Sequence, residues 1–375
     1  MISWVIKGEF KVADGITISQ AVDLGYATLE SFKKDDFAIT LKHPRYEAIN
    51  QWFRKDKLQL DGGDRVTRYI QLGDTGNAQH VRLYQTDTPN VTNTDKEVKV
   101  EWTHAISSFT YSRKELAMNL GNKVRVYNYL KSRRLGCYRE FADMLEEAAW
   151  TTPTSSDDDL NPHGLPCWLS WGSDGDTGSF TAYKGHYNDG SQTEYNSGGL
   201  TSSSTVNSRW ASYYADHNGN IDDSLLTLLR RAFRQTYFQA PLEPGKIFED
   251  TSFANFRLYS NDSVIGSMEE MAMKADDRVG ADLGKYAGRT MFKGIPFVYV
   301  DVLDDADTDT YGTDPIFGVN HDWFYPVVLR GEYFRINEPM TKVGQHNVLT
   351  VYVDLTYQYI CENRRMAGFL INQYA

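Results

Sequence analysis

Gly121–Trp150, reading GNKVRVYNYLKSRRLGCYREFADMLEEAAW, is the stretch that decides the architecture. Val124, Tyr127, Lys131 by its stem, Leu135, Tyr138, Phe141, Ala142, Leu145, Ala148 and Ala149 recur at helical spacing, sustained for about eight turns. Arg125, Arg133, Arg134, Arg139, Glu140, Asp143 and Glu146 fall between them, which predicts a charged and solvated opposite face. Gly121-Asn122 marks the start. Thr151-Thr152-Pro153 marks the stop, because proline cannot continue a helix and pushes the residue before it out of helical geometry. Such a rod is roughly 40 Å long at 1.5 Å per residue. Few compact enzymes of this size need one; a subunit that lies flat and broad does.

The chain has 375 residues, and its 41% hydrophobic content supplies a core for two compact domains or one elaborated one. A formal charge of -11 argues against a sequence-independent grip on nucleic acid, which needs clustered Lys and Arg to displace counterions. The 24 tyrosines favour half-buried surfaces where a hydroxyl reaches water or a partner. Cys137, Cys167 and Cys361 are too few and too scattered for a disulfide framework, and they form no zinc spacing, so a reducing compartment is expected. The first residues show no basic region followed by an apolar run, and no window approaches the roughly eighteen apolar residues of a membrane span. A soluble protein without a classical export signal is expected.

Working outward from the helix, Ile18, Val22, Tyr26, Leu29 and Phe32 predict a short amphipathic helix near the start, and Tyr46 to Lys55 a second one. Residues 57–109 differ in kind. Val66, Arg68, Ile70 and Leu72 alternate with Arg65, Thr67, Tyr69 and Gln71; Val81–Thr86 reads as a second strand, and Glu97–Phe109 as a third with Val98, Val100, Trp102 and Ile106 on one face. Polar residues on both faces predict an extended ribbon with little core of its own, its Tyr69, Ile70 and Trp102 covered mainly by a neighbour and its removal tolerated by the rest of the chain. Residues 151–221 read as an ordered but loop-rich insertion. Asp222–Gln239 restores helical spacing, with Asp222 or Asp223 as cap. Phe256–Tyr259, Met291–Val302, Ile316–Asn320, Trp323–Arg330, Glu332–Glu338 and Val348–Ile360 read as strands, the last in strict alternation. The whole is an α+β chain.

Signatures of chemistry are missing. The chain contains no phosphate-binding GxxxxGKS/T, no GxGxxG after a strand, no HExxH, no GxSxG and no kinase loop. Its eight histidines are dispersed, with no i, i+4 pair on a helix. Asp305-x-Asp307-x-Asp309 and Asp216-x-Asn218-Gly219-Asn220-x-Asp222 alternate oxygen ligands but lack the glycine and glutamate that complete a calcium loop, so solvated turns are favoured over metal sites. Asp143, Glu146 and Glu147 are explained as successive turns of an exposed helix face. No catalytic residue, cofactor or metal is assigned. Arg364-Arg365 is the most suggestive basic pair, either for bidentate pairing at an interface or for a local salt bridge to Glu362 or Asp354.

In combination, the order of parts and the wording of Arg113-Lys114-Glu115-Leu116 with Asn119, Phe292-Lys293-Gly294-Ile295-Pro296 and Asn363-Arg364-Arg365 resemble the major capsid proteins of tailed bacteriophages, with their Hong Kong 97 type fold. The resemblance implies an N-terminal arm and junction at 1–56, an extended β-loop at 57–109, a spine helix of the peripheral domain at 110–150, the loop-rich insertion at 151–221, an axial domain at 222–290, peripheral-domain strands at 291–340, and a C-terminal strand at 341–375 returning to the axial domain. It implies a non-enzymatic subunit that assembles with itself as hexamers and pentamers into an icosahedral shell around double-stranded DNA, without sequence-specific binding and without a membrane. Scaffold and portal proteins are the implied partners, with a decoration protein as a further candidate, and the location is the virion after assembly in the host cytoplasm. Inter-subunit contact candidates are Arg65, Arg68, Tyr69, Ile70, Trp102, Arg364 and Arg365. Two other classes stand beside this one: an encapsulin-like nanocompartment shell, and a soluble enzyme or calcium-stabilised binding protein.

Overall fold

The computed structural model describes residues 42–56, 58–60, 62–86, 89–119, 123–155, 158–185, 196–237, 254–275, 290–304, 308–342 and 344–374. The helix expected near Ile18–Phe32 lies outside them. In chain order the elements are α1 (Ala48–Asp56, of π type), β1 (Leu58–Leu60), β2 (Arg65–Gln71), β3 (Asp95–Glu101), β4 (Thr103–Ser112), α2 (Arg113–Asn119), α3 (Lys123–Trp150), α4 (Leu165–Trp168), β5 (Ser179–Ala182), β6 (Asn196–Ser197), β7 (Leu200–Thr201) and β8 (Ser212–Asp216). They continue with α5 (Asp223–Thr236), β9 (Phe256–Ser260), α6 (Asp262–Ala275), β10 (Met291–Phe292), β11 (Ile295–Tyr299), β12 (Thr313–Asn320), β13 (Phe324–Leu329), β14 (Arg335–Ile336), β15 (Met340–Lys342), β16 (Gln345–Cys361) and β17 (Gly368–Gln373). The long helix is there, 28 residues of it. The fold is α+β.

The chain divides into two compact units. In the first, which includes residues 106–141 and 334–354, α3 packs on strands. Leu349, Val351 and Val353 point inward from β16 at period two, and meet Phe109 and Tyr111 of β4 and Leu130 and Cys137 of α3. Phe141 lies on Phe334 with ring centroids 5.3 Å apart. Strand β14 pairs with β16 through Arg335↔Asp354 and Ile336↔Val353. Ile106 departs from its expected face and is exposed, because a break at Trp102 separates β3 from β4 and resets the alternation.

The second unit includes residues 41–105, 142–333 and 355–375. Its centre is a seven-stranded sheet in the order β10-β11-β9-β12-β17-β8-β5. Pairs β9–β11 and β8–β17 are parallel, and the rest are antiparallel. Helix α5 lays Leu225, Leu229, Ala232 and Phe233 on this sheet, its first turn capped by the Asp222 carboxylate, which accepts the Ser224 N–H at 2.8 Å. Strands β12 and β17 meet very closely at Gly318 and Gly368. A Cβ on Gly368, at φ +146°, would stand 1.8 Å from the Gly318 carbonyl oxygen, so only glycine permits this approach.

This topology corrects two expected boundaries. Strands within 291–320 belong to the seven-stranded sheet with β9, whereas β13 pairs with β16 and β1, so the strand groups divide between β12 and β13 rather than at residue 291. The 151–221 segment is not an appendage either. Its β8 lies inside the seven-stranded sheet between β17 and β5, and all five of its residues, Ser-Tyr-Tyr-Ala-Asp, are buried. A strand covered on both faces carries no alternation, which is why the segment reads as loop.

Segment 42–56 is core as well. Trp52 is fully buried among Trp150, Phe324, His321 and Tyr359, with ring centroids 5.2–5.8 Å away. Its indole N–H donates to the Tyr259 hydroxyl at 3.0 Å, and that hydroxyl also bonds Nε2 of His321, kept neutral by burial, at 2.8 Å.

Candidate assembly interface

Strands β2 and β3 form the two-stranded ribbon, in register from Arg65↔Glu101 to Gln71↔Asp95. Val81–Thr86, expected as a further strand, is a loop with a turn in which the Gln85 N–H donates to the Arg82 carbonyl at 3.0 Å; among the described residues its apolar alternation finds no partner strand. The expectation of a ribbon without core is also corrected. Val66, Val98 and Val100 are buried, and the β6–β7 hairpin comes down on β3, with the Lys99 N–H donating to the Gly198 carbonyl at 2.9 Å. Gly198 has φ +62°, and a Cβ there would stand 2.6 Å from Val98 and 2.8 Å from the Trp168 ring.

Three of the seven contact candidates prove to be internal. Trp102 is buried by its own chain, its indole N–H donating to the Gly63 carbonyl at 3.0 Å. Arg68 spends its Nε–H on the Tyr325 hydroxyl at 3.0 Å and Glu362 at 2.9 Å, which pins β2 to the body. Glu362 takes Arg68 and Asp354 takes Arg335 as ion-pair partner, while Arg364 is wholly buried. Its guanidinium donates to the carbonyls of Trp168 (2.9 Å), Tyr183 (3.2 Å), Trp210 (3.2 Å) and Lys184 (3.1 Å), and to the Ser170 hydroxyl (2.7 Å). One arginine thus supplies the donors for a set of irregular segments whose carbonyls have no ladder.

The other four remain outward. Arg65 pairs across the ribbon with Glu101 at 3.0 Å, Tyr69 is 80% exposed, Ile70 is half-buried, and Arg365 stacks its guanidinium 4.4 Å over the Phe180 ring with part of its surface open. The most exposed apolar residues of the ribbon lie at its far end, where sequence reading had placed a paired strand: Leu83 is 86% exposed, Tyr84 98% and Val91 100%. Asn77 and Asn90 clamp the base of this tip by two bonds, 2.7 and 2.8 Å, and Arg209 holds Asp74 bidentately, which lowers the Asp74 pKa. Exposed apolar side chains are thus grouped at the end of a paired ribbon.

Chemistry is sparse elsewhere. Asp216 accepts the backbone N–H groups of Gly175 (3.0 Å) and Asn218 (2.7 Å), and Asp222 caps α5, so their oxygens are turned to the backbone. The other acidic run lies partly outside the described residues, and among the described residues no cluster of three His, Cys, Asp or Glu is arranged to hold a metal. No described helix is long and apolar enough to cross a membrane. Glu146 is not on an exposed face: it is buried, accepting the Ala48 N–H at 2.9 Å and the Trp150 indole N–H at 3.1 Å, and burial pushes its pKa up to about 7.

No protein-family model and no curated protein matches the chain. Solved structures do. A capsid chain of cyanophage A-1(L) superposes with a TM-score of 0.58 at 11% identity, over 91% of this chain and 96% of that one. The chain has the Hong Kong 97 type fold. The capsid of an empty GTA particle aligns with a TM-score of 0.55 at 12% identity, over 92% and 96%, and a chain from Microbacterium phage Oxtober96 with 0.50 at 10% identity, over 96% and 99%. At these identities the fold persists while almost every side chain differs.

Proposed function

We propose that the chain is the major capsid protein of a tailed bacteriophage, a non-enzymatic subunit that assembles with itself as hexamers and pentamers into an icosahedral shell around double-stranded DNA. The observation that carries this is the match of the fold over nearly the whole length of both chains to a phage capsid subunit, together with an apolar ribbon tip that its own chain leaves bare. Heterologous contacts between copies close into rings, and rings of differing symmetry close a container. The charge of -11 suits a wall along which packaged DNA slides without sticking. Scaffold and portal proteins are the partners this reading requires, the host cytoplasm is the place of assembly and the virion the final location.

Electron microscopy and sedimentation of the purified chain, with and without scaffold, test it. Closed particles are expected. Stable monomer under every salt condition with scaffold supplied overturns it.

A further inference from the structure

Helix α3 carries on its outer side a pattern that the core does not use. Leu130, Cys137 and Phe141 are buried, while Ser132, Arg133 and Glu140 are exposed and Gly136 is half-buried. Arg133, Gly136 and Glu140 follow one another at helical spacings of three and four, so they lie in one stripe. The two charges are opposite but two turns apart, about 10 Å at 1.5 Å per residue, which is beyond ion-pair reach. The positions three and four residues away from either hold no opposite charge, and among the described residues neither has an ion-pair partner. The Arg133 guanidinium is held over the Tyr129 ring, 5.5 Å from its centroid. Gly136 stands between the two charges. Glycine is a poor helix former, and a Cβ there would meet nothing within 4 Å among the described residues, so the subunit's own packing does not call for it.

We propose that this stripe is a two-fold contact, in which the α3 helices of two copies cross antiparallel beside Gly136 and Arg133 of each meets Glu140 of the other. The midpoint of the two charges falls between residues 136 and 137, so a two-fold rotation there lays each cation on an anion. A copy laid parallel and in register would set Arg133 on Arg133 instead. With no side chain on Gly136, the helix axes approach to about 8 Å, near enough for both ion pairs to close. DNA or an acidic peptide would meet Glu140 as well as Arg133, so a second copy is the occupant that satisfies both charges. A two-fold contact does not extend a ring; it fastens one ring to the next. The inference rests on the shell reading for that place and names the residues that join ring to ring.

Charge reversal in the full chain tests this, read by particle yield and by sedimentation of the unassembled subunit. Both charged positions are exposed, so the substitutions are tolerated by the fold. Arg133→Glu and Glu140→Arg each set like charges together, and each is expected to cut particle yield at least tenfold. The double variant, Arg133→Glu with Glu140→Arg, is expected to restore the yield, because a two-fold contact rebuilds both pairs in reversed order. Gly136→Leu is expected to melt no lower than the parent, since its side chain has room, yet to block particles by holding the helices apart. Parental yield from both single reversals and from Gly136→Leu, or single losses that the double variant does not restore, overturn the contact and leave the shell reading standing. If the parent forms no particles, the shell reading falls and sedimentation equilibrium decides the contact. Dimers that either reversal abolishes and the double variant recovers uphold it, and monomer throughout overturns it.

Discussion

The Glu146 carboxylate accepts the Ala48 backbone N–H at 2.9 Å, so the last turns of α3 cap the free donors at the start of α1. Both groups are buried, and the same carboxylate takes the Trp150 indole N–H at 3.1 Å. Burial makes the charged form costly, and the buried Glu47 beside it adds repulsion, which together raise the Glu146 pKa from 4.5 to about 7.

A carboxyl with a raised folded-state pKa stabilises the fold most below its unfolded pKa. Between pH 4.5 and about 7 the native state binds more protons than the unfolded one, so this contribution is lost as pH rises through that window. The loss is on the order of 3 kcal/mol for a shift of this size. Glu146→Gln stays neutral throughout, and its melting temperature is expected to vary less across the window than that of the parent. Equal pH slopes in thermal melts of the two proteins would show that Glu146 is not the group that titrates.

Sequence reading identified the helix of 121–150 and the alternation of Leu349, Val351 and Val353, because each buries one face and leaves its period in the chain. It missed Glu146, whose charge reads as solvent exposure at any helical position, and β8, whose burial on both faces erases the period. It placed a strand at Val81–Thr86, but alternation marks a strand only when a partner strand exists, and none of the described strands pairs with this segment. Of the contact candidates, Tyr69 and Arg65 are outward as their strand positions imply, whereas Arg364 binds carbonyls from residues 168 to 210 that no local pattern could bring together.

Arg364 carries a test of its own. Removing its guanidinium takes this donor from the buried carbonyls of Trp168 and Trp210, while the carbonyls of Tyr183 and Lys184 keep the Ser202 and Ser170 hydroxyls. Arg364→Ala is expected to cost about 3–5 kcal/mol in urea unfolding. Arg364→Lys keeps the charge but not the fork, and is expected to recover less than half of that. A loss below about 1 kcal/mol for the alanine variant would mean that water replaces the guanidinium.

Two glycines with left-handed backbone separate crowding from conformation. Gly198→Ala drives a methyl into Val98 and Trp168, and is expected to cost on the order of 3 kcal/mol. Gly76→Ala, at φ +69° with open space around it, is expected to cost only about 1 kcal/mol. Equal costs, measured by chemical denaturation, would mean that the β6–β7 hairpin does not press on the ribbon.

The ribbon divides into a part packed on the body and a tip open to solvent. Val66, Val98 and Val100 are buried, Val98 against Gly198 of the β6–β7 hairpin, and Arg68 is bound to Tyr325 and Glu362, so excising residues 64–104 removes three buried valines and leaves the part-buried Glu362 without this arginine. That deletion is expected to lower stability by several kcal/mol, at about 2 kcal/mol for each buried valine. Replacing only residues 78–89 by two glycines between Asn77 and Asn90 removes a segment whose described residues, 78–86 and 89, are all exposed, and leaves the clamp in place. Its urea midpoint should match the parent within error, while particle yield by sedimentation falls to background. A tip deletion that melts early would place the tip in the core, and one that assembles normally would strip the tip of any role in the shell.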